Sequence, residues 1–188
     1  MEYFTDKQFE SVDYSSNEFL KGEYENCQFR NCNLANIDLG GFRFIDSEFE
    51  ECNLSNAQIK NLSLQNTLFK NCKLLGLHFD TCNPFNFSIK CYKCQLDHTT
   101  FYKVKLSKSV LEDCSLIDVD FTESVMTGMN LQKSNFLDAT FDRTILESAD
   151  FREAYNFNID PEKNLIMKAK FSATQALTLL DKYRLIIE

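Results

Sequence analysis

Residues 51–74, ECNLSNAQIKNLSLQNTLFKNCKL, carry a large apolar side chain at every fifth position: Leu54, Ile59, Leu64, Phe69 and Leu74. Neither regular secondary structure accommodates that period. A helix advances about 100° per residue, so a step of five rotates roughly 500° and misses the starting face. A strand alternates faces, so a step of five lands on the opposite one. The spacing is satisfied when the chain bends once per repeat and every fifth side chain points to a common axis. Such a chain is a solenoid.

The period extends well beyond this stretch. Phe9, Tyr14, Phe19, Tyr24, Phe29, Leu34, Leu39, Phe44 and Phe49 precede it, and Phe79 follows. After CNPFNFSIKCYKC the count resumes two residues out of phase, at Cys91, Leu96, Phe101, Leu106, Leu111, Leu116, Phe121, Met126, Leu131, Phe136, Phe141, Leu146 and Phe151. Only 44% of the chain is hydrophobic, so chance does not sustain two such runs. A second inward position lies two residues earlier and is mostly small, as at Cys27, Ser47, Ala57, Thr67, Thr99, Ser124 and Ala149, with Phe42, Leu62, Leu77 and Met129 larger.

Like residues also recur twenty apart: Leu34, Leu54 and Leu74 in one row, Phe9, Phe29, Phe49 and Phe69 in another. Four repeats therefore complete one coil, and the coil has four sides. With five Gly and two Pro in 188 residues, its corners rest on something other than Gly-Pro turns.

CNLAN, CNLSN, SNFLD and ADFRE fit the motif A/C-D/N-L/F-x-x of the pentapeptide repeat family, which the chain resembles over about residues 7–153. The resemblance implies an all-β solenoid, a right-handed quadrilateral β-helix of about seven coils spaced ~4.8 Å apart, roughly 34 Å long. The rod is expected over residues 1–171, and a C-terminal capping or dimerisation helix and tail over 172–188. Residues 155–171 break the strict period, with Pro161 suiting a turn and Ala169 and Phe171 reading as one last repeat. Then Ala173, Ala176, Leu177 and Leu180 fall at helical spacing, and Ser172 with Gln175 reads as a capping box. Leu177, Leu180, Tyr183, Leu185, Ile186 and Ile187 exceed what a cap needs. In the family such a helix often pairs two rods end to end, so the resemblance implies a homodimer through these residues.

Catalytic signals are lacking. Cys91 and Cys94 form a CxxC, but Cys32, Cys52, Cys72, Cys94 and Cys114 occupy one small inward position a coil apart, a structural ladder that does not converge as zinc ligands must. Buried free Cys behaves as a small hydrophobe. His78 and His98 each precede an inward residue and point outward. No phosphate loop, dinucleotide fingerprint or hydrolase elbow is present. A non-enzymatic protein without cofactor or metal is expected. No apolar run reaches the roughly 20 residues of a membrane span, and the first residues lack signal-peptide character, so a cytoplasmic location without membrane contact is expected.

What remains is surface. The net charge of −8 disfavours direct binding to nucleic acid. A negative rod points instead to a protein that stands in for DNA. The ending YNFNIDPEKNLIMKAKFS, followed by an apolar helix, resembles that of Qnr-type pentapeptide repeat proteins, which bind DNA gyrase and topoisomerase IV and protect them from quinolones. Duplex DNA carries about 20 charges over the same length, so any mimicry is not plain electrostatic copying. The most one-signed side bears Asp13, Asp97, Asp118 and Asp138 against Lys73. The rival reading is a structural or scaffolding pentapeptide repeat protein with an unrelated partner; a redox or metal protein built on the Cys is the distant third.

Overall fold

The computed structural model describes residues 2–186. Ten short strands alternate along the chain: β1 (Glu2–Thr5), β2 (Gln8–Glu10), β3 (Gly22–Glu25), β4 (Gln28–Arg30), β5 (Arg43–Ile45), β6 (Glu48–Glu50), β7 (Ser63–Gln65), β8 (Thr67–Lys70), β9 (Ile89–Tyr92) and β10 (Val110–Glu112). Each pairs in parallel with the strand one coil away. One side of the rod is the sheet β1-β3-β5-β7, and an adjoining side is the sheet β10-β9-β8-β6-β4-β2. The other two sides are held by single parallel bridges. Asp13, Asn33, Asn53, Lys73, Gln95, Ser115, Asn135 and Tyr155 pair in succession, giving seven coil-to-coil steps along one of them. The chain is thus the four-sided parallel solenoid that the period requires.

The pitch of the coil equals the strand spacing, about 4.8 Å, which is also a favourable stacking distance for aromatic rings. Rings in one row therefore lie flat on one another. Phe9–Phe29 and Phe29–Phe49 stack with centroids 4.7 and 4.6 Å apart, and Phe79–Phe101 and Phe101–Phe121 at 4.6 and 5.4 Å. Phe171 stacks on Phe151 at 5.3 Å, so the last repeat continues the pile. The residue pattern falters over 155–171, yet the backbone keeps its twenty-residue step, pairing Ile145 with Leu165 and Asp150 with Lys170.

The small inward positions have a second duty. Their side chains donate to a carbonyl of the coil below: Cys52 Sγ to Phe29 O, Ser47 Oγ to Tyr24 O, Thr144 Oγ1 to Phe121 O and Asn164 Nδ2 to Phe141 O. Each donor lies 23 residues beyond its acceptor, so one geometric slot accepts Cys, Ser, Thr or Asn. Where the residue in this slot carries a small donor it can be used this way, whereas Ala57, Ala149 and the larger Phe42, Leu62, Leu77 and Met129 fill the slot by packing alone.

The two-residue phase change lies at residues 83–87. Asn61 N still donates to Thr81 O at an offset of twenty, whereas Thr67 pairs with Ile89 at twenty-two. A short 3-10 turn, Phe79–Thr81, precedes the step, and Phe87 turns into the core while Phe85 stands 67% exposed.

The C-terminal segment differs from the expected helix. The capping box forms between Ser172 and Gln175, but α1 (Ala173–Ala176) is one turn long and passes into a 3-10 stretch, Leu177–Tyr183, which ends where Arg184 adopts φ 50°. No residue of either piece is fully buried, although Leu179 packs partly against the core. Helices this short depend on tertiary packing, and here little is available. Among the described residues no helix is long and apolar enough to cross a membrane.

Candidate interaction surface

Each corner must turn the chain within a repeat, and at most of them one residue does so by adopting a left-handed conformation two positions after the large inward side chain. Examples are Asn31, Asn36, Asp46, Asn56, Asn66 and Asn71, with φ between 49° and 61°. Asn and Asp tolerate this region best after Gly. They also stack: Asn66 Nδ2 donates to Asp46 Oδ1 at 2.6 Å, and Asn26 bonds Asp6 in the same way. Beyond the step Asp113, Asp118 and Asp138 keep this chemistry, but other corners are filled by Lys93, His98, Lys103, Glu123, Lys133, Arg143 and Glu153. These side chains gain nothing from αL geometry, and each stores about 1 kcal/mol. Lys133→Asn is therefore expected to raise stability by about 0.5–1 kcal/mol, read as an increased urea midpoint at unchanged slope.

Outward side chains meet across coils, so charges pair along the rod. Arg43 with Glu23, Lys70 with Glu48, Arg30 with Glu50, and Glu123 with both Lys103 and Arg143 span neighbouring levels at 2.6–3.5 Å. All are solvated, so each contributes little to stability. Their effect is to cancel much of the acidity of those levels.

The acidic residues singled out from the sequence lie on one side of the rod but not in one stripe. Asp118 and Asp138 occupy consecutive levels at the same corner, below them His98, whose Nδ1 lies 3.0 Å from the Asp118 carboxylate. Asp97 is beside them and accepts from Ser115 Oγ and Ile117 N. Asp13 is four levels away on that side, past Asn33, Asn53 and Lys73. Hydrogen bonds from the Ser15 hydroxyl and amide hold its carboxyl below the ordinary range.

One carboxylate escaped the sequence reading. Asp150 is only 8% exposed and accepts from Arg152 Nε at 3.0 Å, Nη2 at 2.7 Å and backbone N at 3.1 Å, and from Gln132 Nε2 at 3.1 Å. It joins its own level to the one below. The signal was present as Asp-x-Arg with a Gln eighteen residues earlier, a spacing that means contact only once the coil is known.

All eight Cys are buried and unpaired. Cys32, Cys52, Cys72, Cys94 and Cys114 follow one another up a single side, each donating Sγ to a carbonyl of the preceding coil. Burial pushes the Cys82 and Cys91 thiols well above their usual range. Among the described residues no cluster of His, Cys, Asp or Glu is arranged to hold a metal ion.

The pentapeptide repeat region matches residues 3–79 and 78–151 of this sequence. The chain belongs to the pentapeptide repeat family. No curated protein matches this pentapeptide repeat protein in sequence. Among solved structures it is similar to a trypsin-treated variant of QnrB1, described as a plasmid-mediated fluoroquinolone resistance protein, at 20% identity and TM-score 0.68, covering 98% of this chain and 99% of that one. Full-length QnrB1 superposes with TM-score 0.58 at 19% identity, over 98% and 100% of the two chains. HetL, involved in heterocyst differentiation regulation in the cyanobacterium Nostoc sp. strain PCC 7120, matches at TM-score 0.44 and 12% identity, over 89% and 84%. At these identities the likeness is one of fold.

Proposed function

We propose that this pentapeptide repeat protein binds type II topoisomerases, DNA gyrase or topoisomerase IV, at the surface that handles DNA, and thereby reduces quinolone action without catalysis. The observation that carries this reading is end-to-end likeness to a fluoroquinolone resistance protein, across 98% of this chain and 99% of that one. A filled rod bearing net charge −8 is compatible with a place on a DNA-binding surface. The contact is confined to acids that no Lys or Arg pairs among the described residues, with Asp97, Asp118 and Asp138 on one such face and Asp13 beyond it. The rod acts inside the cell, where the topoisomerase is.

The protein pairs with a second copy through its C-terminal segment. Leu177, Leu180, Tyr183, Leu185 and Ile186 are 46, 37, 49, 58 and 90% exposed there, more apolar surface than a short segment normally shows to water. Ile187, assigned to the same contact from the sequence, lies outside the described residues. A dimer in sedimentation at micromolar concentration, lost on Leu180→Asp, is the expected result.

Titration into a gyrase supercoiling reaction containing ciprofloxacin tests the central claim. Restored supercoiling is expected. No effect at concentrations well above the enzyme's would favour a scaffolding role with an unrelated partner.

A further inference from the structure

Charge along the rod is banded. Residues 84–108 contain Lys90, Lys93, Lys103, Lys105 and Lys108 against Asp97 alone, a net of +4 with His98 neutral. The next coil, residues 109–128, contains Glu112, Asp113, Asp118, Asp120 and Glu123 and no base, a net of −5. Neighbouring bands of opposite sign would be expected to consume one another in ion pairs. They do so once among the lysines, at Lys103–Glu123, 3.5 Å. Among the described residues, Lys90, Lys93, Lys105 and Lys108 have no carboxylate within 4.0 Å.

The step at residues 83–87 lies among four of these lysines, Lys90, Lys103, Lys105 and Lys108. On one flank it forms a groove with an apolar floor of Phe79, Phe87 and Val104, rimmed by Lys103, Lys105 and Tyr102, with Asp80 the one carboxylate in its lining. On the other flank Asn86 and Ser88 line a shallow depression with Lys90 and Lys108 against one carboxylate, Asp46, and Ser88 Oγ donates to Lys108 O at 3.0 Å. Between the two flanks in the chain stands Phe85, 67% exposed. An exposed aromatic next in sequence to an apolar groove, with Lys90, Lys105 and Lys108 unpaired and outnumbering Asp46 and Asp80, is a surface with a net positive charge.

We propose that this surface is a docking site for an acidic polypeptide segment that places one apolar side chain in the groove. The charge decides the sign of the partner, and the groove decides that it carries an anchor as well as carboxylates. A nucleic acid fits less well. Its phosphates would run from the one-coil positive band, ~4.8 Å high, onto the net −5 coil beside it. The inference is independent of the topoisomerase reading, which concerns the acidic coils.

The test uses the full chain and a fluorescein-labelled peptide with one phenylalanine between two runs of glutamate, followed by anisotropy at low salt. Saturable binding is expected. It should weaken about tenfold or more in Lys105→Glu/Lys108→Glu and also in Phe85→Ala, and be unchanged in Lys73→Glu on the opposite side of the rod. These side chains are exposed, so the variants fold, and circular dichroism verifies it. Failure of the peptide to bind, or equal binding by the charge-reversed variant, overturns the proposal. Tighter binding of a thymidine oligonucleotide than of the peptide also overturns it, in favour of a single-strand site. Self-association that vanishes in Lys105→Glu/Lys108→Glu overturns it in favour of the acidic N-terminal coils of a second copy.

Discussion

Phe69→Asp is expected to abolish the cooperative melting of this rod. Phe69 is 2% exposed, lies in β8 between β6 and β9, and stacks on Phe49 with centroids 5.1 Å apart. Removing the ring costs about 3–5 kcal/mol in lost burial and cavity formation. The carboxylate adds several more, because its surroundings are rings and aliphatic chains with no cation to pair it. The sum rivals the whole stability of an ordinary domain, about 5–15 kcal/mol. Position in the array amplifies the effect. Each coil of a solenoid is stabilised by its neighbours, so failure in the middle separates two halves that each lack a partner face. Phe9→Asp provides the contrast. Phe9 belongs to the same row but sits at the N-terminal end, where its ring is only partly buried. Its substitution should shift the melt modestly and leave the rest folded. Thermal melts followed by circular dichroism distinguish the two, and a Phe69→Asp variant melting within a few degrees of the parent would show that the inward register is wrong.

Asp150→Ala is expected to cost about 2–3 kcal/mol, the value of charge-assisted hydrogen bonds at a nearly buried site. The Arg152 guanidinium holds the Asp150 carboxyl down at about 2. A carboxyl whose folded value lies below its unfolded one binds fewer protons when folded, so it stabilises the fold above its ordinary pKa. That contribution, about 2 kcal/mol at neutral pH, fades as pH falls from about 4 to about 2. The parent and Asp150→Ala should therefore differ in urea midpoint at pH 7 and converge near pH 2. An unchanged difference across that range would assign the effect to packing instead. Asp150→Asn keeps the shape, loses the charge and should fall between them.

Most of the fold was legible because its defining contacts are set by local spacing. A side chain every five residues, small two before, large at the centre, specifies bend, side and inward direction without reference to anything distant. The twenty-residue recurrence of Phe29, Phe49 and Phe69 then sets which residues stack, because coil pitch and ring stacking distance coincide. The capping box at Ser172 was equally local.

The remainder depended on tertiary structure. Apolar spacing from Ala173 to Leu180 reads as a continuous helix, yet helix length follows from the surface available to pack against, and the end of the rod seats little more than Leu179. Left-handed corners at Lys93, Lys103 and Lys133 leave no trace in propensity, because the coil imposes a conformation these residues would not choose. Asp150 meets Gln132, and Asp118 meets His98, only after the register across coils is fixed. The step at residues 83–87 reads in sequence as a counting irregularity. Only in three dimensions does it bring Lys103 and Lys105 to one groove and Lys90 and Lys108 to another on either flank of the step. Period alone determined what points inward. What meets on the outside was decided by the stacking of coils, since outward side chains find their neighbours a full turn away in sequence.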